Sequence, residues 1–357
     1  MIDIIECLRM LVEKDGSDLF YRAGATVRMR INGKVTQVTD AVIGIDDIDR
    51  SLQKLLSEEV REFFRKTFDI DFAYYCPQLD RRFRISIFMQ RNWPSIVARN
   101  IPPATKTLED LNLPAEILKK LAMERRGLVL LTGTMGSGKS TAIASMIEYI
   151  NQNAYKHIFT LEEPIEFTFN DKNSLINQRE LGKDVASYPV ALRSFTLQSP
   201  DVIYIGNIRD EETMSAALTA AETGVLVMST LHTVNAPQTV ERIVNFFPPH
   251  QHPQICTQLS FLLKGVISLR LIPLKDGVTR IPSSEVMLLT PTISRLIREN
   301  KVGEITRYLE EGDIFGMHSF NQSLVKLVKD GKITEAEAMD FSDNKDEFIL
   351  ALKGIKK

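Results

Sequence analysis

"GLVLLTGTMGSGKST" runs from Gly127 to Thr141, and its reading decides the fold. Leu128 to Leu131 form an unbroken apolar run, the composition of a strand buried on both faces. Then come Gly133, four residues, and Gly138, Lys139 and Ser140, which is the G-x-x-x-x-G-K-[ST] spacing of a phosphate-binding loop. The segment after it, "KSTAIASMIEYINQ", reads as helix. Glycines at this spacing let the backbone N–H groups of Gly133, Thr134, Met135, Gly136, Ser137, Gly138, Lys139, Ser140 and Thr141 close around phosphates. Lys139 would reach the β and γ oxygens of ATP, and the Ser140 hydroxyl would hold Mg²⁺. The helix N-terminus adds partial positive charge. The bland alternative is a glycine turn that binds nothing. The spacing arises by chance in roughly one chain in a hundred of this length, so the strand before it and the helix after it carry the assignment.

Outward from the loop, short apolar segments ("HIFTLEE", "DVIYIGN", "GVLVMSTLH") alternate with helical ones ("AEILKKLAMERR", "ETMSAALTAAET"). That alternation predicts a parallel sheet covered on both faces, an α/β nucleotide-binding core over residues 113–290. From Pro291 to residue 357 the pattern is helical with charged faces. "FILALKGIKK" suits a capping helix or a docking surface equally. Upstream, "RNIPPATKTLEDLNLP" packs prolines and turn formers between elements, so a linker is placed at residues 101–112.

Residues 1–100 read as a small α+β domain. Ile4, Ile5, Leu8, Leu11 and Val12 recur at helical spacing until Asp15-Gly16 stops them, and "TVRMRINGKVTQV" alternates around the hairpin signal Asn32-Gly33. One helix is predicted from about Ile48 to Phe68. In "RRFRISIFMQR", Phe83, Ile85, Ile87 and Met89 take one face of a strand and Arg82, Arg84 and Ser86 the other.

Composition bounds what such a protein can be. At 357 residues with 44% hydrophobic and 25% charged residues, the chain suits two globular domains. A net charge of −2 gives no global attraction for nucleic acid, and no aromatic-basic cluster supplies a local one, so no nucleic-acid partner is expected. Three widely spaced cysteines suggest neither a zinc cluster nor a disulfide framework, and fit a reducing cytoplasm. Glu6 and Arg9 interrupt the apolar N-terminus, unlike a signal peptide, and no run approaches a membrane span.

Several further segments resemble one family, the type IV pilus retraction ATPases (PilT and PilU) of the secretion ATPase superfamily. "LEEPIEF" (Leu161 to Phe167) is similar to that family's acidic box, "SPDVIYIGNIRDEETMSAALTAAETG" to its Walker B segment, "STLHT" to its histidine box and "TPTISRLIREN" to its C-terminal signature. "NQRELG", "GSDLF" and "RFRISIFMQRN" extend the resemblance over nearly the whole chain, and "SDLF", "FMQRN" and "LPAEILKKLA" lean towards PilU. The resemblance implies a PAS-like N-terminal domain and a RecA-like P-loop ATPase core. It also implies a homo-hexameric ring with ATP between subunits, peripheral at the cytoplasmic face of the inner membrane. There the ring would act with a membrane platform protein to drive pilus disassembly and twitching motility. An arginine from one subunit would reach phosphates held by its neighbour, with Arg82, Arg84 and Arg99 in the matching region and Arg193 and Arg209 as weaker candidates. An ordinary solvated sheet face is the alternative for any one of them. Assembly ATPases of the superfamily carry a longer N-terminal region and a tetracysteine insert, which this chain lacks.

The pattern fails at defined places. Where the family has Glu after "IG", this chain has Asn207, which can bond a water but cannot take its proton. Val225 stands where the histidine box opens with His, leaving His232. Met135 replaces Thr, and Glu163 replaces Asp in the acidic box. Three consequences stay open: a weak ATPase in which Glu163 or Glu166 orders water, a nucleotide-holding subunit dependent on an active PilT paralogue, or a substitution that traps ATP. Glu163 is also the expected second Mg²⁺ ligand beside Ser140, although these carboxylates could equally form a salt-bridge set. His250 and His252, between prolines, read as a surface loop rather than a metal site.

Overall fold

The computed structural model describes residues 2–31, 33–101, 106–274 and 279–354. Asn32 of the hairpin signal, linker residues 102–105 and the final Ile355–Lys357 lie outside them. The chain divides into two compact units, Met1–Pro103 with Pro164–Thr168, and Ala104–Glu163 with Phe169–Lys357.

In the first unit α1 (Ile4–Glu13) is followed by β1 (Asp18–Arg22), β2 (Thr26–Ile31), β3 (Lys34–Val42), α2 (Ile45–Leu55), α3 (Glu58–Thr67), β4 (Asp69–Cys76), β5 (Arg81–Gln90) and β6 (Trp93–Ile101). The strands form an antiparallel sheet in the order β3-β2-β1-β6-β5-β4. Ile31 pairs with Lys34, the register a two-residue hairpin requires. Phe83, Ile85 and Ile87 are fully buried in one core with Ile4, Leu8, Leu11 and Ile48, as their alternation predicts. The single helix expected from Ile48 to Phe68 is two. Leu56 turns extended, and Ser57 accepts the N–H of Val60 to cap a new start.

The second unit runs α4 (Ala115–Ala122), β7 (Gly127–Thr132), α5 (Lys139–Asn153), β8 (His157–Glu162), β9 (Leu175–Glu180), α6 (Tyr188–Thr196), β10 (Val202–Ile205), α7 (Glu211–Glu222), β11 (Leu226–Leu231), α8 (Ala236–Val244), α9 (His252–Leu262), β12 (Leu263–Pro273) and β13 (Arg280–Leu288). Its sheet has the order β13-β12-β7-β11-β10-β8-β9, parallel except for β13. Every residue of β7, β10 and β11 is buried. Alternate residues divide between two cores, Leu128, Leu130, Ile203 and Val227 on one face and Val129, Leu131, Tyr204 and Met228 on the other. This is the double-sided burial a parallel sheet needs.

Helices α10 (Pro291–Arg298), α11 (Ile305–Glu310), α12 (Phe320–Lys329), α13 (Glu335–Phe341) and α14 (Lys345–Leu352) follow, with Phe348 of α14 fully buried beside Leu324. His252 is not in a loop. It opens α9, where Pro253 is tolerated in the first turn, and its Nε2 lies 2.9 Å from the Phe247 carbonyl. His157 and His318 have partners the sequence does not reveal, Asn177 Nδ2 at 2.7 Å and Ser284 Oγ at 3.0 Å.

Candidate nucleotide site

The phosphate loop joins the end of β7 to α5, and its glycines have separate tasks. Gly133 has φ 142, and a Cβ there would lie 2.4 Å from the Leu269 carbonyl of β12 and 2.6 Å from Ser137 Oγ, so only glycine fits. Gly136 (φ 76) and Gly138 (φ 95) turn the chain with nothing among the described residues within 4 Å of a would-be Cβ, leaving an open rim. Lys139 is buried, and its Nζ donates to the carbonyls of Gly133 (2.7 Å) and Thr134 (2.9 Å). Ser137 Oγ is buried with no hydrogen-bond partner among the described residues, which in a native protein asks for a ligand or water. Met135 is 90% exposed, so its side chain takes no part in the loop's own packing.

Because the sheet order is β7-β11-β10-β8, the residues that follow these strands line up beside the cradle at the carboxyl edge, where open α/β sheets bind ligands. His232 follows β11, Asn207 follows β10, and Glu162 ends β8. Asn207 Nδ2 lies 3.2 Å from His232 Nε2, while its buried Oδ1 has no partner among the described residues. Partial burial, then the charges of Lys139 and Arg209, hold the His232 imidazole below its ordinary pKa, so the neutral ring is favoured although one edge meets solvent. Glu163 pairs with Arg209 at 3.3 Å, both side chains being largely exposed. Tyr188, opening α6, faces this group. Burial raises its phenol to about 12, with Glu163 and Glu162 adding to the rise and Arg209 opposing it.

Sequence reading missed Glu162 and Tyr188. Glu162 is buried, accepts Thr160 Oγ1–H at 2.7 Å, and backs onto Gly206, whose Cβ would come within 3.3 Å of the Glu162 Cα. Its signal was available, since it is the first carboxylate of "LEEPIEF".

Val225, where the family has a histidine, stands away from the cradle. It lies at the amino end of β11, buried against Gly127, whose N–H it accepts at 3.1 Å, and the whole strand separates it from His232. Its replacement of histidine therefore concerns packing and not the phosphates. An open groove of about 540 Å³ between α6 and α7, lined by Arg193, Glu211 and Glu212 among others, is likewise separate from the cradle.

Arg82, Arg84, Arg99 and Glu166 belong to the first unit. Arg84 Nε donates to both Asp71 oxygens at 2.9 and 3.1 Å. Arg99 and Arg30 share the buried Asp18, at 2.9 and 3.1 Å. Burial pushes the Asp18 carboxyl up, but the bonds from Arg99 and Ser17 and the two positive charges outweigh it and hold the group below its usual value.

Fold and site together define a P-loop nucleotide-binding protein of the RecA-like α/β class with an N-terminal α+β domain. The chain belongs to the type II/IV secretion system protein family, which it matches over residues 7–339. It is 41% identical over 346 residues to the type IV pilus ATPase PilU of Pseudomonas aeruginosa, covering 97% of this chain and 90% of that one. It is 38% identical over 339 residues to the type IV pilus retraction ATPase PilT of the same organism, covering 95% and 98%. A crystal structure of the pilus retraction motor PilT with bound ADP superposes with a TM-score of 0.90 at 39% identity, over 97% and 99% of the two chains.

Proposed function

We propose that this chain is a pilus retraction ATPase that works as a homo-hexameric ring at the cytoplasmic face of the inner membrane, coupled to a membrane platform protein. The observation that carries the reading is the cradle itself: Lys139 sits at the head of α5 against the Gly133 and Thr134 carbonyls, with Asn207 and His232 on the adjacent strand ends. The PilT and PilU relatives support it. We assign residues 1–100 to the PAS-like domain, 101–112 to the linker, 113–290 to the ATPase core and 291–357 to the helical region.

In this reading Lys139 exchanges its two carbonyl partners for phosphate oxygens, and the loop N–H groups and the orphaned Ser137 hydroxyl complete the cradle. Ser140 and Glu163 would hold Mg²⁺, which would supply positive charge against the phosphates. Glu163 would give up Arg209 to do so. Asn207 holds the attacking water with its carbonyl oxygen, and Glu163 orders it. Arg82 or Arg84 reaches the phosphates of the neighbouring subunit.

One observation favours a second reading, a nucleotide-holding subunit that depends on an active PilT paralogue: the position expected to carry the water-activating carboxylate is an amide already engaged with His232. Phosphate release and bound nucleotide, measured together on wild type and Lys139→Ala, separate the two. Turnover above the Lys139→Ala background identifies an ATPase; tight ATP without turnover identifies the holding subunit; no nucleotide binding in wild type overturns both.

A further inference from the structure

The loop that carries His232 is tied down from behind. It leads from β11 to α8, and each of the four residues after His232 has an anchor. Thr233 Oγ1 shares a hydrogen bond with Thr239 Oγ1 (2.7 Å), and Asn235 caps α8 by accepting the Gln238 N–H (3.0 Å). The other two anchors come from outside the loop and its helix. The Val234 carbonyl accepts from Arg270 Nη2 at 3.5 Å, a long bond, and the Ala236 N–H donates to the buried Glu285 at 2.7 Å, a short one. Arg270 and Glu285 stand on the paired antiparallel strands β12 and β13.

Arg270 also faces the other way. Nη1 donates to the Phe341 carbonyl at 2.7 Å, Nη2 donates to the Asp343 carboxylate at 2.7 and 2.9 Å, and the guanidinium lies 3.8 Å from the centre of the Phe320 ring. One rigid planar fork therefore holds the His232 loop, the start of α12 and the end of α13 together, which a flexible lysine could not do.

The geometry points to Arg270 and Glu285 as positioning residues for His232, through which the C-terminal helices set the imidazole's place beside Asn207 and the phosphate cradle. The inference rests on reading His232 as part of the nucleotide site. A network that merely held the domain together would change stability and leave His232 where it is.

The test is an NMR titration of the full chain labelled with ¹³C at the histidine ring, the His232 signal being assigned by its loss in His232→Gln. In wild type His232 titrates below the ordinary value of about 6.5. In Arg270→Ala and in Glu285→Ala the loop relaxes away from Lys139 and Arg209, and the titration moves up by about half a unit or more. Glu285→Gln keeps an oxygen acceptor for Ala236 and titrates like wild type, a rescue that a packing role alone does not predict. If Arg270→Ala does not fold, Asp343→Ala, at a carboxylate 56% exposed, decides the same question with a shift in the same direction. An unchanged His232 titration in these variants overturns the proposal. Binding of a fluorescent ATP analogue, read on the same samples, tests the functional reading separately, because failure to bind nucleotide in wild type leaves the titration result intact.

Discussion

Asn207→Glu places a carboxylate at the strand end where the site has an amide, and the surroundings define what should follow. At present Asn207 Nδ2 sits 3.2 Å from His232 Nε2, an arrangement in which the amide donates to a neutral ring protonated on its other nitrogen. A carboxylate has no N–H to give, so His232 must turn donor, either by changing tautomer or by taking a proton. A unit charge at about 4 Å attracts an imidazolium by about 4 kcal/mol at an effective dielectric constant of 20. His232 is exposed, so solvent screening leaves a fraction of this. The direction is set all the same: the histidine pKa rises, opposing the depression by burial, Lys139 and Arg209. For turnover, a positioned general base contributes about 10²–10⁴ in rate. Phosphoryl transfer leans mainly on positioning and charge stabilisation, so the lower end applies. We expect kcat to rise by about 10², or about 2.7 kcal/mol of barrier, with the KM for ATP changing little. Steady-state phosphate release across ATP concentrations, with nucleotide occupancy measured in parallel, checks this. A folded, ATP-binding Asn207→Glu protein whose kcat does not rise would refute the reasoning and place water activation at another residue.

Three further outcomes follow from the geometry. Gly133→Ala brings a Cβ to 2.4 Å from the Leu269 carbonyl at φ 142, so stability should fall by about 1–3 kcal/mol from backbone strain, with overlap adding to it, and ATP affinity should drop at least tenfold; denaturant melts and equilibrium binding test this, and Gly136→Ala, with open space around it, should cost less. Arg84→Ala removes a pair in which both partners are about half exposed, so unfolding free energy should change by less than about 1 kcal/mol while turnover falls at unchanged ATP affinity; unaltered turnover rejects Arg84 as the residue that reaches the neighbour's phosphates. Glu285 is raised to about 7 by burial, which outweighs the Ala236 N–H and Arg270, with Asp343 and Glu310 adding to the rise. Its folded value lies above its unfolded one, so its contribution is fully present below about pH 4.3 and is lost as pH rises through 7. The denaturation midpoint of wild type relative to Glu285→Gln should therefore fall between about pH 4.3 and pH 7 and level off above it.

The elements legible in the sequence were those whose signal is local. Gly133, Gly138 and Lys139 lie within one turn of chain, and the apolar runs of β7, β10 and β11 needed no partner to be recognised. Strand β9, "LINQRE", sits at the sheet edge, where one flank needs no apolar cover, and so lacks the hydrophobic run that marks its neighbours. Between α9 and β12 the chain passes from helix to strand at Leu262–Leu263, while the glycine of "SFLLKGVISL", Gly265, lies two residues inside β12, so nothing at the junction itself marks a boundary. The hydrogen bond between Asn207 and His232 joins residues 25 apart, and Arg270 reaches Asp343 across 73. Contacts of that separation follow from strand order, and nothing in local periodicity encodes strand order.

The four departures from the retraction-ATPase pattern weigh differently once placed. Met135 points into solvent, away from the loop's own packing. Glu163 keeps the charge of the residue it replaces and finds Arg209. Val225 and His232 mark opposite ends of β11, which at about 3.3 Å per residue sets them roughly 20 Å apart, too far for the missing histidine to have served the same phosphates. Asn207 stands at the carboxyl edge as Glu163 does, but it alone of the four lacks the carboxylate that the pattern expects, and its amide contacts His232. The question of catalytic competence therefore narrows to one side chain. A cradle with its lysine, its glycine geometry and its helix dipole intact predicts that nucleotide binding survives whatever Asn207 does to hydrolysis, so affinity and turnover should separate cleanly in this protein.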